Sequence, residues 1–147
     1  MSYVKIWIHA VWSTKNREPY LKPPKLQLMC NHILENAGKK NIYIDRINGH
    51  DDHIHVLMLL KDGNSISKQM QLIKGESAFW ANKIELIEEQ FEWADKFFAA
   101  SVSGRKVPAV RAYIDRQQEH HAMQSFNEEF NHFLHSIGYD PEQLAQG

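Results

Sequence analysis

The run Asp52-His53-Ile54-His55-Val56-Leu57-Met58-Leu59-Leu60 constrains this chain more than any other stretch. It is rich in apolar and β-branched residues, follows Gly49, and is broken by Asp62-Gly63-Asn64. Such a run reads as a central strand. Side chains alternate faces along a strand, so His53 and His55 point one way while Ile54 and Val56 point the other. Two imidazoles roughly 7 Å apart along the chain can lean onto one divalent cation. The same pair can also be packed in a core, so its meaning depends on what else reaches that face.

The neighbouring segments supply a sheet. From Tyr3 to Ser13 the chain alternates, with Val4, Ile6, Ile8, Ala10 and Trp12 on one face and Tyr3, Lys5, Trp7 and His9 on the other. That pattern predicts a first strand, ended by the polar loop Thr14-Lys15-Asn16-Arg17. Pro23-Pro24 opens a helix with Leu26, Met29, Ile33 and Leu34 as its buried stripe and Gly38 as a left-handed cap. Ile42 to Ile47 reads as a second strand, with Asn48-Gly49 as the hairpin turn into the histidine strand. Ser65 caps a helix carrying Ile66, Met70 and Ile73. Lys74-Gly75-Glu76-Ser77 interrupts it, and a second helical stretch follows with Phe79, Trp80, Ile84 and Ile87 as its apolar face. The glutamates Glu85, Glu88, Glu89 and Glu92 read as a solvated surface.

Phe97 to Ser103 forms a further strand, closed by Gly104. Pro108 starts a helix running to about Met123. Ser125 to Glu128 has the form of a capping box, before a last helix with Phe126, Phe130, Phe133, Leu134 and Ile137 at helical spacing, ended by Gly138. The order suits an α+β, ferredoxin-like (RRM-like) antiparallel sheet with helices packed on it. At 147 residues the expectation is a single domain over 1–147.

Composition narrows the function classes. The single cysteine, Cys30, excludes an internal disulfide framework and fits a reducing cytosol, so a cytoplasmic protein is expected. No segment approaches a membrane span, and the start Met1-Ser2-Tyr3-Val4-Lys5 has no signal-peptide pattern. The formal net charge of -1 argues against non-specific coating of duplex DNA, which asks for a basic domain. It leaves room for a locally basic groove that holds single strands.

On the helix after Pro108, Tyr113 and Gln117 are four residues apart and therefore share a face. With Val107 and Val110, Ile114 can anchor that helix to the core. A His-hydrophobic-His strand followed by tyrosine four residues before glutamine resembles the HUH single-tyrosine transposases, the IS200 group of insertion-sequence enzymes and their REP-associated relatives. The likeness runs over nearly the whole chain. Thr14-Lys15-Asn16-Arg17 resembles the family's TK-x-R segment, Asp52-His53-Ile54-His55 its D-H-hydrophobic-H core, and Lys74-Gly75-Glu76-Ser77 its KG-x-S segment. Trp93 with Phe97, Phe98, Ala99, Ser101 and Val102 resembles the approach to its last strand. Tyr113-Ile114-x-x-Gln117 resembles its nucleophile helix, and Glu119-His120-His121 with Phe126, Glu128 and Glu129 resembles one of its subgroups.

The resemblance implies Tyr113 as catalytic nucleophile and His53, His55 and Gln117 as ligands of Mg²⁺ or Mn²⁺, cations suited to oxygen and imidazole donors without thiolate. His120 or His121, about one turn beyond Gln117, is the alternative third ligand. Asp52 either orients a ligand imidazole or caps the turn. The implied product is a 5′-phosphotyrosine with a free 3′-OH, resolved later by strand transfer. A phenol of pKa near 10 is under about 1% ionised at pH 7.5, a deficit of roughly 3–4 kcal/mol that a nearby cation can offset. The energy of the cut bond is kept in the phosphotyrosine, so rejoining needs no ATP.

The family acts on imperfect single-stranded DNA hairpins and is dimeric as a rule, the tyrosine helix often completing the partner's His-x-His site. Lys15, Arg17, Lys74, Arg105, Arg111 and Arg116 are candidate DNA contacts, each against the alternative of a solvated face. His9, His32, His50, His132 and His135 read as surface or core residues. Trp7, Trp12, Trp80 and Trp93 read as core rather than base-stacking platforms. Two other classes remain open on sequence: a non-catalytic nucleic-acid-binding module, and a His-ligated metallohydrolase in which water attacks.

Overall fold

A computed structural model describes residues 2–119 together with Glu128, Asn131, His132 and His135. The chain divides into two compact units, Met1–Asp115 and Arg116–Gly147. The capping box at Ser125, the stripe from Phe126 to Ile137, and His120 and His121 lie outside the described residues.

The first unit runs β1 (Trp7–Thr14), α1 (Lys25–Lys39), β2 (Ile44–His50), β3 (His53–Leu59), α2 (Ile66–Lys83), β4 (Trp93–Val102) and α3 (Val107–Asp115). The strands form one four-stranded sheet in the order β2-β3-β1-β4, antiparallel at every junction. This is the α+β, ferredoxin-like layout expected from the sequence. β3 lies between β1 and β2, and it is buried along nearly its whole length. An unbroken apolar strand needs cover on both faces, and the two faces are covered differently. Ile8, Ala10, Trp12, Ile54, Val56 and Met58 belong to the main core with Met29 and Ile33 of α1 and Met70 and Ile73 of α2. On the opposite face Leu57 packs with Val107 and Ile114 of α3, flanked by Trp7, Val110 and Tyr113.

Several local expectations are corrected. β1 begins at Trp7, leaving Val4 and Ile6 exposed, because its last partner on β3 is Leu59, facing Trp7. Leu34 is likewise exposed, and Gly38 lies inside α1; the left-handed residue is Asn41 (φ 59°), just past the helix. Asn48-Gly49 is not the hairpin turn. Both residues pair within β2, opposite His55 and Ile54, and the turn falls at Asp51-Asp52. Gly49 is required for a different reason: a Cβ there would collide with the backbone carbonyl of His53. β4 is longer than expected, from Trp93.

Lys74-Gly75-Glu76-Ser77 does not interrupt the helix either. α2 is continuous, capped by Ser65, whose hydroxyl accepts the Lys68 N–H at 3.1 Å. Gln69, Met70, Ile73, Ser77 and Ala81 face inward, which turns Phe79 and Ile84 out to solvent. The segment fastens α2 to β4. Lys74 Nζ donates to the carbonyls of Ala94 (2.7 Å) and Asp95 (3.1 Å), and the buried Trp93 Nε1–H donates to Ser77 Oγ at 2.9 Å.

Candidate active site

Alternation along β3 puts His53 and His55 on the α3 face of the sheet, both fully buried. Their ring centroids are 5.1 Å apart with the planes near perpendicular. His53 Nδ1 lies 2.8 Å from Asp52 Oδ1. An ionised carboxylate only accepts, so His53 donates through Nδ1–H, and the neutral ring in this tautomer carries its lone pair on Nε2. Asp52 therefore orients an imidazole and is not merely a turn residue. Its own backbone is pinned from β1: the Thr14 N–H donates to the Asp52 carbonyl at 2.8 Å, and the Thr14 hydroxyl contacts the same oxygen at 3.3 Å. The first residue of Thr14-Lys15-Asn16-Arg17 thus holds the turn from which the histidine strand starts.

A third histidine joins the pair. In the β1–β3 register His9 faces Leu57 and Val11 faces His55, so His9 lies diagonally beside His55 on the same face. His9 Nε2 is 3.0 Å from His55 Nδ1. Burial lowers the His9 pKa from 6.5 to about 3, so the ring is neutral at neutral pH. The sequence alone marks His9 only as a surface or core histidine. The available signal was its place beside Trp7 on the minor face of β1, which becomes informative once β1 is paired with β3.

Tyr113 arrives on α3. Its ring centroid lies 5.5 Å from that of His55 and 6.1 Å from that of His9, both in edge-on geometry. The tyrosine and the His-x-His strand of one chain are therefore neighbours. Sequence-distant contacts dock this helix onto β2. Arg111 Nε and Nη2 donate to the two carboxylate oxygens of Asp45 at 2.7 and 2.9 Å. Asn48 Nδ2 donates to the Ile114 carbonyl at 2.9 Å, satisfying a last-turn carbonyl that the helix leaves without an internal partner. α3 spans Val107–Asp115, a turn residue follows at Arg116, and residues 117–119 are helical again; the rest of the expected helix, to Met123, lies outside the described residues. Gln117 consequently belongs to the second unit, where its side chain is buried, rather than to the tyrosine helix.

The donor chemistry fits a hard divalent cation. Asp52 gives His53 the tautomer a ligand needs, and His55 shares its face. Among the described residues no three side chains of the His, Cys, Asp and Glu types are grouped to hold a metal; the alternative third ligands His120 and His121 lie outside the described residues.

The basic candidates are dispersed. Lys15 pairs with Glu92 at 3.0 Å, an exposed bridge whose hydrogen bond raises the lysine pKa. Arg111 is engaged by Asp45, whose hydrogen bond raises its pKa. Lys74 is tied to β4 carbonyls through the helix layer on the far side of the sheet, and desolvation lowers its pKa. Arg17 and Arg105 sit in exposed short helical turns, Lys15–Arg17 and Gly104–Lys106, while Arg116 opens the second unit.

Residues 2–117 match the family model for IS200-like transposases. The chain belongs to that family. No curated protein matches this IS200-like transposase. Among solved structures it is similar to a candidate transposase from Deinococcus radiodurans R1, with 21% identity, 80% of this chain and 95% of that chain covered, and a TM-score of 0.61. It is also similar to a REP-associated tyrosine transposase bound to a REP hairpin, with 17% identity, coverage of 82% and 72%, and a TM-score of 0.59. At those identities the likeness carries the fold, and the family match carries the role of a DNA-processing transposase. Among the described residues no helix is long and apolar enough to cross a membrane.

Proposed function

We propose that this transposase cuts and rejoins single-stranded DNA at hairpin-marked ends in the cytoplasm, with Tyr113 as the nucleophile and residues 1–147 acting as one transposase domain. The observation that carries this reading is the packing of the Tyr113 ring against His55 and His9. In the proposed step the Tyr113 oxygen bonds to phosphorus, the bond from phosphorus to the 3′ oxygen breaks, and a 5′-phosphotyrosine and a 3′-OH result. Reversal by an incoming 3′-OH frees Tyr113 and rejoins the strand without an external energy source.

His53 and His55 would hold Mg²⁺ or Mn²⁺, with Gln117 the candidate third ligand from its spacing after Tyr113. When bound, the cation would polarise the scissile phosphate and offset the roughly 3–4 kcal/mol needed to ionise a phenol at neutral pH. Asp52 holds the His53 ring in a ligand-ready orientation, and the docking of α3 keeps Tyr113 beside His55. Lys15, Arg17, Arg105 and Arg116 are proposed phosphate contacts; the surface pair of Lys15 with Glu92 is weak enough to yield to a phosphate. Lys74 and Arg111, also basic candidates, contribute charge near phosphate only in addition to their structural bonds. Hairpin DNA as the substrate class is supported by the REP hairpin bound to the REP-associated neighbour. A homodimer is the proposed assembly, to be read by light scattering.

The decisive experiment incubates the protein with end-labelled hairpin-bearing single-stranded DNA and Mn²⁺, followed by denaturing electrophoresis. A covalent adduct that disappears in Tyr113→Phe is expected. Cleavage that survives Tyr113→Phe would show water as the nucleophile, and binding without cleavage would reduce the protein to a binding module.

A further inference from the structure

We propose that His9 is a positioning residue that sets the tautomer of His55, accepting the His55 Nδ1–H through its own Nε2 and so placing the His55 lone pair on Nε2. The proposal rests on the reading of His55 as a metal ligand.

The argument starts from one proton. Two neutral imidazoles whose nitrogens lie 3.0 Å apart share a hydrogen bond only if one of the two carries the proton and the other the lone pair. If His9 Nε2 carried it, His55 would be protonated on Nε2 and could offer no lone pair there. If His55 Nδ1 carries it, the ring matches its neighbour: His53 already donates Nδ1–H to Asp52 at 2.8 Å. Both rings of the pair then present Nε2 on the same sheet face. A ligating histidine characteristically donates its other ring N–H to an acceptor that fixes the ring. For His53 that acceptor is a carboxylate in the turn just before the strand, and for His55 it is an imidazole on the adjacent strand. The two acceptors differ in consequence: a carboxylate brings negative charge to the site, whereas a buried neutral imidazole orients His55 without adding charge.

Geometry makes His9 suited to this task. It is fully buried on β1, whose pairing with both β3 and β4 holds its backbone. Its ring also stands edge-on to Tyr113 at 6.1 Å, so the residue that orients His55 contacts the nucleophile's ring as well. A displaced His9 would therefore disturb ligand and nucleophile together.

The test reads protonation directly. In metal-free protein labelled with ¹⁵N-histidine, long-range ¹H–¹⁵N correlation distinguishes the two neutral tautomers. The expected result is His53 and His55 both protonated on Nδ1. A wild-type spectrum with His55 protonated on Nε2 overturns the proposal, whatever the variants do. His9→Leu removes the acceptor and should shift His55 away from the Nδ1–H form, with Mn²⁺ binding weakened about 10–100-fold in calorimetry without DNA. His9→Gln supplies an amide oxygen that can accept and should restore both readings. Unchanged Mn²⁺ affinity in a folded His9→Leu protein also overturns the proposal. If His9→Leu fails to fold, the wild-type spectrum decides alone. Failure of the parent reading looks different: Mn²⁺ binding would then be indifferent to His53→Ala and His55→Ala.

Discussion

The buried, neutral state of His9 makes a quantitative prediction about acid stability. Its folded pKa is about 3, against 6.5 for an ordinary imidazole, because burial disfavours the charged ring. Below pH 6.5 the unfolded chain therefore holds a proton at His9 that the native chain refuses. Where the unfolded state binds more protons, stability rises with pH, so here it is lost as pH falls from about 6.5 towards 3. Each pH unit inside that window costs about 1.4 kcal/mol. Moving from pH 7.5 to pH 5.0 crosses about 1.5 units of it, a loss of roughly 2 kcal/mol from this side chain. His9→Gln can keep the hydrogen bond to His55 and cannot titrate, which makes it the proper comparison. The assay is urea unfolding at both pH values, in chelator-containing buffer so that no cation perturbs the histidines. Wild type should lose about 2 kcal/mol more than His9→Gln between the two. Parallel losses would refute the reasoning, because they would mean that native His9 accepts its proton as readily as the unfolded chain does.

Other consequences follow from the same contacts. Asp52→Asn weakens the hold on His53 and should lower Mn²⁺ affinity about 10-fold or more by calorimetry, with the fold intact by circular dichroism. Asn48→Ala removes the donor to the Ile114 carbonyl and should cost about 1–2 kcal/mol, seen as faster hydrogen exchange in α3 than in α1; equal changes in both helices would contradict a local docking role. Gly49→Ala forces a Cβ onto the His53 carbonyl and should destabilise by at least about 2 kcal/mol in urea melts, since strand backbone cannot yield as a side-chain tip can. Cys30 is buried, with its thiol pushed up to about 12, so it should resist a thiol reagent in the native protein and react promptly in urea.

Local periodicity made much of the fold legible. Alternation in β1 and β3 assigned faces correctly, and the side chains of Leu26, Met29 and Ile33 marked the buried side of α1 as expected. Errors arose where a local signal had two meanings. Gly75 and Gly38 read as helix breaks, yet both sit within helices, because a single glycine costs only about 1 kcal/mol and tertiary packing overrides it. Asn48-Gly49 read as a turn, yet the glycine serves a close backbone approach and the asparagine reaches across to α3.

By itself the sequence determined which side chains of the His-x-His strand share a face, which segments make the sheet and its helices, and which tyrosine the late helix carries. These follow from spacing along the chain, where a period of two or of 3.6 translates directly into geometry. Only the tertiary structure decided that His9 touches His55, that Asn48 and Asp45 hold the tyrosine helix, and that Arg111 is committed to an ion pair. Each of these joins residues tens of positions apart, through a strand register or a helix docking angle that no local pattern encodes. β1 and α3 are the elements that bring His9 and Tyr113 to the face of the His-x-His pair.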